Sequence, residues 1–189
     1  MDHRMRLLEL LIERSLSLGT FTLASGATSS YYIDARRTTM SAEGQALVGR
    51  VALETIRSAG IDVEWIGGLT MGADPISYAI AHRSWVEDHP LNAFSVRKEV
   101  KEYGTTRQIE GGLPSGAKVL VVEDAITSGG SALRAIDAVR SHGAHVLGLL
   151  ALVDREEGGR QVIEELGIPV TRLFTASELL LAAGEDPSS

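Results

Sequence analysis

Cysteine is absent from this 189-residue chain. Disulfides, thiolate catalysis and sulfur-based zinc sites are therefore excluded. Long apolar runs are missing too: no stretch approaches the roughly 18 consecutive apolar residues that a membrane-spanning helix needs. The N-terminal stretch MDHRMRLLELLIERSLSLG has acids within its apolar part and no small-residue cleavage site. It reads as an amphipathic helix and not as a signal peptide, and a cytoplasmic location is expected. Positive charge is scarce, with a net charge of -7. That argues against general nucleic-acid binding, which calls for a basic face. The most cationic segment runs from Arg97 to Glu110 and sets Arg97, Lys98, Lys101 and Arg107 against Glu99, Glu102 and Glu110. It is a mixed loop, not a polybasic arm. Neither G-x-x-x-x-G-K-[ST] nor a G-x-G-x-x-G opening a βαβ unit occurs, which removes P-loop and dinucleotide-binding readings. No repeat, low-complexity tract or linker divides the chain.

What is present is an ordinary globular composition, 44% hydrophobic, long enough for one well-buried domain. Leu8, Leu11, Ile12 and Leu16 fall on one face of an N-terminal helix that Gly19 is expected to stop. TFTLASGATSSYYIDAR reads as short strands and a turn, and Ser41 as the cap of a second helix ending at Gly60. Beyond it, strands (IDVEWIGG, LNAFSV, KVLVV, AHVLGLLALVD, PVTRLF) alternate with helices (ADPISYAIAHR, SALRAIDAVRSHG, GGRQVIEELG). Asp74 before Pro75 is expected to cap the first of these helices. Alternation of this kind predicts right-handed crossovers and an α/β fold with a mainly parallel sheet flanked by helices. The tail GEDPSS reads as disordered.

Ligands of open α/β sheets bind beyond the carboxyl ends of the strands. The stretch VLVVEDAITSGGSA ends a strand in two acids, Glu123 and Asp124, and continues into a loop of small and hydroxyl residues before a helix. Backbone N–H groups, hydroxyls and a positive helix end together hold a phosphate without a lysine. The acids would repel that phosphate, so they suit a neighbouring group with hydroxyl donors, such as a ribose diol. A phosphorylated ribose satisfies both halves of the stretch. The alternative is that the acids merely cap the turn.

VLVVEDAITSGGSA closely resembles the phosphoribosyl-pyrophosphate motif of type I phosphoribosyltransferases. That resemblance assigns the ribose hydroxyls to Glu123 and Asp124, and the 5′-phosphate to Ala125, Ile126, Thr127, Ser128, Gly129, Gly130 and Ser131. VRKEVKEYG is similar to the mobile catalytic loop of the orotate-specific subfamily, SGATSSYYID to its N-terminal orotate segment, and LVDREEGG to its Asp-Arg segment. GGLTMGADP takes the place of the pyrophosphate loop, with Thr70, Met71 and Gly72. Together these segments span about Phe21 to Gly159.

The resemblance implies a single domain over 1–189, with about 1–40 and a C-terminal segment forming a small hood. It implies transfer of ribose 5-phosphate from 5-phosphoribosyl 1-pyrophosphate (PRPP) to orotate, in pyrimidine biosynthesis. Mg2+ would be held mainly through the substrate, with no certain protein ligand. Lys98, Lys101 and Asp124 would be catalytic, and Arg97 and Tyr103 would join the PRPP contacts. Arg155 would pair with the orotate carboxylate, Tyr31 or Tyr32 would cover its ring, and Thr127 would reach the base. A homodimer is implied, with loop 97–110 acting in the partner's site. Taken alone, Arg155 would be a surface ion pair with Glu156 or Glu157, the tyrosines a core and edge pair, and the lysines a solvated hairpin. Arg36 and Arg37 stay open between surface cations and a dimer contact.

Two departures stand out. Ala24 sits where many family members carry lysine, and Tyr103 where the loop usually has histidine. A tyrosine with a reference pKa near ~10 is no proton donor at neutral pH, so Tyr103 is read as a phosphate contact. The competing functions are transfer to another base, and a non-catalytic ligand-sensing regulator of the same fold.

Overall fold

The structure, a computed structural model, describes residues 2–22, 26, 28–99 and 108–187. Helix α1 (His3–Ser15) starts at Asp2, whose carboxylate accepts the N–H groups of Arg4 and Met5. It buries Leu7, Leu8, Leu10 and Leu11. The helix ends before Leu16, and the chain then turns into strand β1 (Leu16–Thr22). Gly19 therefore does not stop the helix; it lies within β1, where the pairing with β2 (Thr28–Ile33) shifts register between Leu18 and Phe21. The β1–β2 pair is a separate antiparallel sheet.

A short helix α2 (Arg36–Thr39) leads to α3 (Ala42–Ser58). The Ser41 hydroxyl accepts the Gly44 N–H at 3.1 Å, which is the cap anticipated from sequence. The main sheet comprises β3 (Trp65–Leu69), β4 (Asn92–Val96), β5 (Ile109–Glu110), β6 (Lys118–Ile126), β7 (His145–Asp154) and β8 (Val170–Thr175). Their order is β5-β4-β3-β6-β7-β8, parallel throughout except for β5 against β4. Between these strands run α4 (Ala73–Val86), α5 (Gly130–Ser141) and α6 (Gly159–Glu164), and α7 (Ala176–Ala182) follows β8.

The central strands explain the two-sided cover. On β6, Leu120 and Val122 join the core beneath α1, α3 and α4, whereas Val119 and Val121 join the one beneath α5 and α6. Alternate residues of a strand face opposite sides, so a strand buried on both must be apolar at every position. Each such side chain contributes roughly 1.5–3 kcal/mol through burial. The chain steps from β3 to β4 on one side and returns to β6 on the other. Strand order thus reverses about β3, and the crevice outside the carboxyl ends of β3 and β6 is where such a sheet binds its ligands.

Two local expectations need correction. Asp74 does not cap α4: the N-cap is Gly72, without a side-chain bond. Strand β6 does not end before the acids but continues through Glu123 and Asp124 to Ile126. Helix α7 was not anticipated, although its capping box is legible as Thr175-Ala-Ser-Glu178. Of the tail read as disordered, Ser188 and Ser189 lie outside the described residues.

Candidate active site

Three loops meet at the carboxyl edge of the sheet: Thr70–Gly72 after β3, the turn from Thr127 to Gly129 after β6, and Arg155–Gly158 after β7. Register aligns the last two, with Ile126 of β6 opposite Asp154 of β7. Their backbones are joined by hydrogen bonds from Arg155 N–H to the Ile126 carbonyl and from Gly159 N–H to the Thr127 carbonyl, both 2.9 Å.

Gly129, in the left-handed region at φ 84°, turns the chain into α5, and no side chain caps that helix. The first N–H groups of a helix have no intrahelical partner and carry its positive dipole end. They border a cavity of about 290 Å3 lined by Glu123, the whole run Ala125 to Ser131, Ala132 and Arg134. Every residue assigned to the 5′-phosphate is therefore on one wall.

Glu123 and Asp124 are adjacent on a strand, so they face opposite sides. Glu123 is 6% exposed, and its Oε2 has no hydrogen-bond partner. Burial first, then the neighbouring Asp124 charge, push its pKa from 4.5 to about 9. At neutral pH it is a protonated acid. The repulsion of a phosphate, argued from sequence for both acids, then applies to Asp124 alone. Asp124 is half-buried on the other side, so close to Gly72 that any side chain at position 72 would collide with its carboxylate. Its Oδ1 accepts the Ala125 N–H at 3.0 Å.

A second cavity, of about 250 Å3, joins Asp124 and Glu123 to Thr70, Met71, Gly72, Lys98, Ser131 and Tyr32, with Asp34 and Arg36 on its wall. The Thr70–Met71 peptide is cis. Asp74 holds this loop in place, because its carboxylate accepts the Thr70 hydroxyl at 2.6 Å and the Ser95 hydroxyl at 2.7 Å. Arg36 pairs with Asp34 at 2.8 Å, which raises its pKa. Arg97 pairs with Glu110 at 2.7 Å.

Arg155 is 6% exposed, with its guanidinium 5.2 Å from the centroid of the Tyr31 ring. Such a stack is a cation–π contact. Its only ion-pair partner among the described residues is Glu157, at 2.8 Å from Nη2. The loop is braced by its other acids: Asp154 accepts the Glu156 N–H at 2.9 Å, and Glu156 accepts the Ser177 N–H at 2.9 Å. Tyr32, 41% exposed, packs against Phe21 at 5.7 Å between ring centroids.

A phosphoribosyl transferase domain model matches residues 41–166. The orotate phosphoribosyltransferase of Aquifex aeolicus (strain VF5) is 47% identical over 183 residues, covering 95% of this chain and 99% of that protein. The chain belongs to the orotate phosphoribosyltransferase family. A solved Mycobacterium tuberculosis H37Rv orotate phosphoribosyltransferase in complex with PRPP superimposes with a TM-score of 0.77 at 35% identity, over 95% of this chain and 92% of that one. The inorganic phosphate complex of the same enzyme gives 0.82 at 38%, over 95% and 99%.

Within this orotate phosphoribosyltransferase frame, the fold gathers most residues selected from sequence. Thr70, Met71, Gly72, Lys98, Glu123, Asp124, Ser131 and Tyr32 share one cavity, and Ala125 to Ser131 line the adjoining one. Arg155 and Tyr31 meet each other. Arg97 is paired with Glu110. Lys101, Tyr103 and Ala24 lie outside the described residues. Sequence reasoning missed Asp74 as the support of the Thr70–Gly72 loop and left Arg36 undecided. The only signal for Asp74 was its place two residues after Gly72, and it was read as a cap. Among the described residues, no helix is long and apolar enough to cross a membrane.

Proposed function

We infer that the chain is an orotate phosphoribosyltransferase, which converts orotate and PRPP to orotidine 5′-monophosphate and pyrophosphate in de novo pyrimidine biosynthesis in the cytoplasm. The observation that carries the choice of base is Arg155, a buried cation over an aromatic ring at the strand end next to the donor loop. A guanidinium fork suits a planar carboxylate. A neutral base has no such partner to offer.

In this reaction the bond from C1′ to pyrophosphate oxygen breaks and a base nitrogen takes its place. Negative charge grows on the leaving group and positive, oxocarbenium-like charge on the ribose. Positioning and electrostatic complementarity meet that need without a covalent nucleophile. The loop from Ala125 to Ser131 holds the 5′-phosphate, and Asp124 holds ribose hydroxyls. Protonated Glu123 can donate as well as accept a hydrogen bond there. Thr70, Met71 and Gly72 receive the pyrophosphate, and Lys98, with Lys101, Arg97 and Tyr103, neutralises it as it departs. Arg155, Thr127 and the tyrosines Tyr31 and Tyr32 hold orotate.

Among the described residues no group of three or more His, Asp or Glu is arranged to hold a metal. The oxygen donors of the cleft, Asp124 foremost, still suit Mg2+ shared with the substrate's own oxygens. Bound there, Mg2+ would neutralise pyrophosphate charge.

The deciding assay mixes purified protein, Mg2+, orotate and PRPP, and follows orotate absorbance. No loss of absorbance at high enzyme concentration overturns the reading. We further propose a homodimer in which segment 97–110 serves the partner's site; exposed Met71, Tyr78 and Trp85 support a protein-covered face. Lys98→Ala should reduce turnover about 100-fold. Because Lys98 lines this chain's own cavity, the shared site is tested with Lys101→Ala: mixing it with Asp124→Asn subunits should restore activity, since one hybrid site then has both residues. Absence of recovery excludes the shared site.

A further inference from the structure

The guanidinium of Arg155 offers five N–H donors, yet Nε and Nη2 have no hydrogen-bond acceptor among the described residues. Glu157 Oε1 lies 2.8 Å from Nη2, within ion-pair distance but off the line of an N–H bond. The two side chains differ in freedom. That of Arg155 is 5% exposed and stacked on Tyr31; that of Glu157 is 35% exposed at the rim. Its neighbour Glu156 is not equivalent, because its carboxylate is committed to the Ser177 N–H. Next along the chain, Gly158 at φ 90° turns into α6.

A buried cation without a counter-ion is costly, so an empty site needs an anion at Arg155. A well-aligned, two-point pair would be hard to displace. Glu157 supplies the charge in a one-point, misaligned contact from a side chain that can swing into water.

We propose that Glu157 is a built-in stand-in for the substrate's carboxylate, pairing with Arg155 in the empty site and giving way when an anionic base enters. This rests on the reading of Arg155 as the partner of the base's carboxylate. It makes Glu157 a specificity-determining residue. An anionic base replaces the charge it displaces, whereas a neutral base such as uracil would leave Arg155 stranded. The same competition weakens binding of orotate and aids release of the nucleotide product.

Steady-state kinetics on Glu157→Gln, Arg155→Gln and the double variant tests this. Glu157→Gln is expected to lower the orotate KM roughly fivefold to tenfold, as for loss of a partly exposed ionic competitor. The PRPP KM should not move, and the melting temperature of the empty enzyme should fall, because Arg155 then lacks its counter-ion. Arg155→Gln should raise the orotate KM, and adding Glu157→Gln to it should change nothing more. If Arg155→Gln raises the orotate KM but Glu157→Gln leaves it unchanged or raises it, the stand-in is overturned and the base assignment survives. If Arg155→Gln leaves the orotate KM unmoved, the base assignment fails and the stand-in with it. Glu157→Ala, which deletes the carboxylate without adding an amide, gives the same readout should Glu157→Gln fold poorly.

Discussion

The turns after β6 and β7 are built alike and serve opposite ends. Each follows a long buried strand, carries acids, passes a glycine in the left-handed region (Gly129 at φ 84°, Gly158 at φ 90°) and enters a helix. After β6 the acids sit on the strand itself, and the loop beyond them is left to small residues bordering a cavity. After β7 the acids lie at the end of the strand and beyond, and they are spent on the turn: Asp154 and Glu156 accept backbone N–H groups, and Glu157 faces Arg155. The first turn stays open to receive an anion; the second is braced to hold a cation still. Two carboxylate-rich turns of one design differ in function because of what their acids are bonded to.

The comparison breaks most severely at Asp124. Asp124→Asn keeps shape and removes charge, and kcat/KM for PRPP should fall roughly 100-fold, the upper range for a hydrogen bond to a charged group. Equal values in variant and parent would sever the first turn from the ribose. The coupling of the turns comes next. Any side chain at Gly159 would collide with the Thr127 carbonyl and the Gly129 N–H, so the second turn lies directly against the backbone of the first. Gly159→Ala should therefore weaken PRPP binding about tenfold and cost about 3 kcal/mol of stability, although position 159 belongs to the turn after β7. A loss of stability with PRPP affinity intact would show two independent turns.

The last test concerns Glu123 and is read on stability alone. Its carboxyl is raised from 4.5 to about 9 by burial, so between those values the folded chain holds a proton that the unfolded chain has lost. This contribution to stability is fully present below the unfolded value and is lost as pH rises toward 9. From pH 5 to 9 the parent's melting temperature should fall on the order of ten degrees more than that of Glu123→Gln, which cannot titrate. Parallel curves would mean that Glu123 is ionised in the fold.

Periodicity and punctuation carried much of the fold. Ser41, the glycines that follow α3, α5 and α6, and the uninterrupted apolar runs of β6 and β7 named the elements and implied a parallel sheet, since all of these are local signals. The phosphate loop was legible for the same reason: one contiguous stretch builds it. The miss at Asp74 has a long-range cause. That residue stood where a cap is expected, but its carboxylate is taken by Thr70 and by Ser95, 21 residues away.

By itself the sequence determined that this chain folds as a parallel α/β domain and handles a phosphorylated ribose, because strand burial, helix caps and a glycine-hydroxyl loop are written in neighbouring residues. Only the tertiary structure decided the charge on Glu123 and the partner of Arg155. Protonation depends on what surrounds a carboxyl, and Tyr31 meets Arg155 across more than a hundred residues of chain only once the hairpin and β7 have packed.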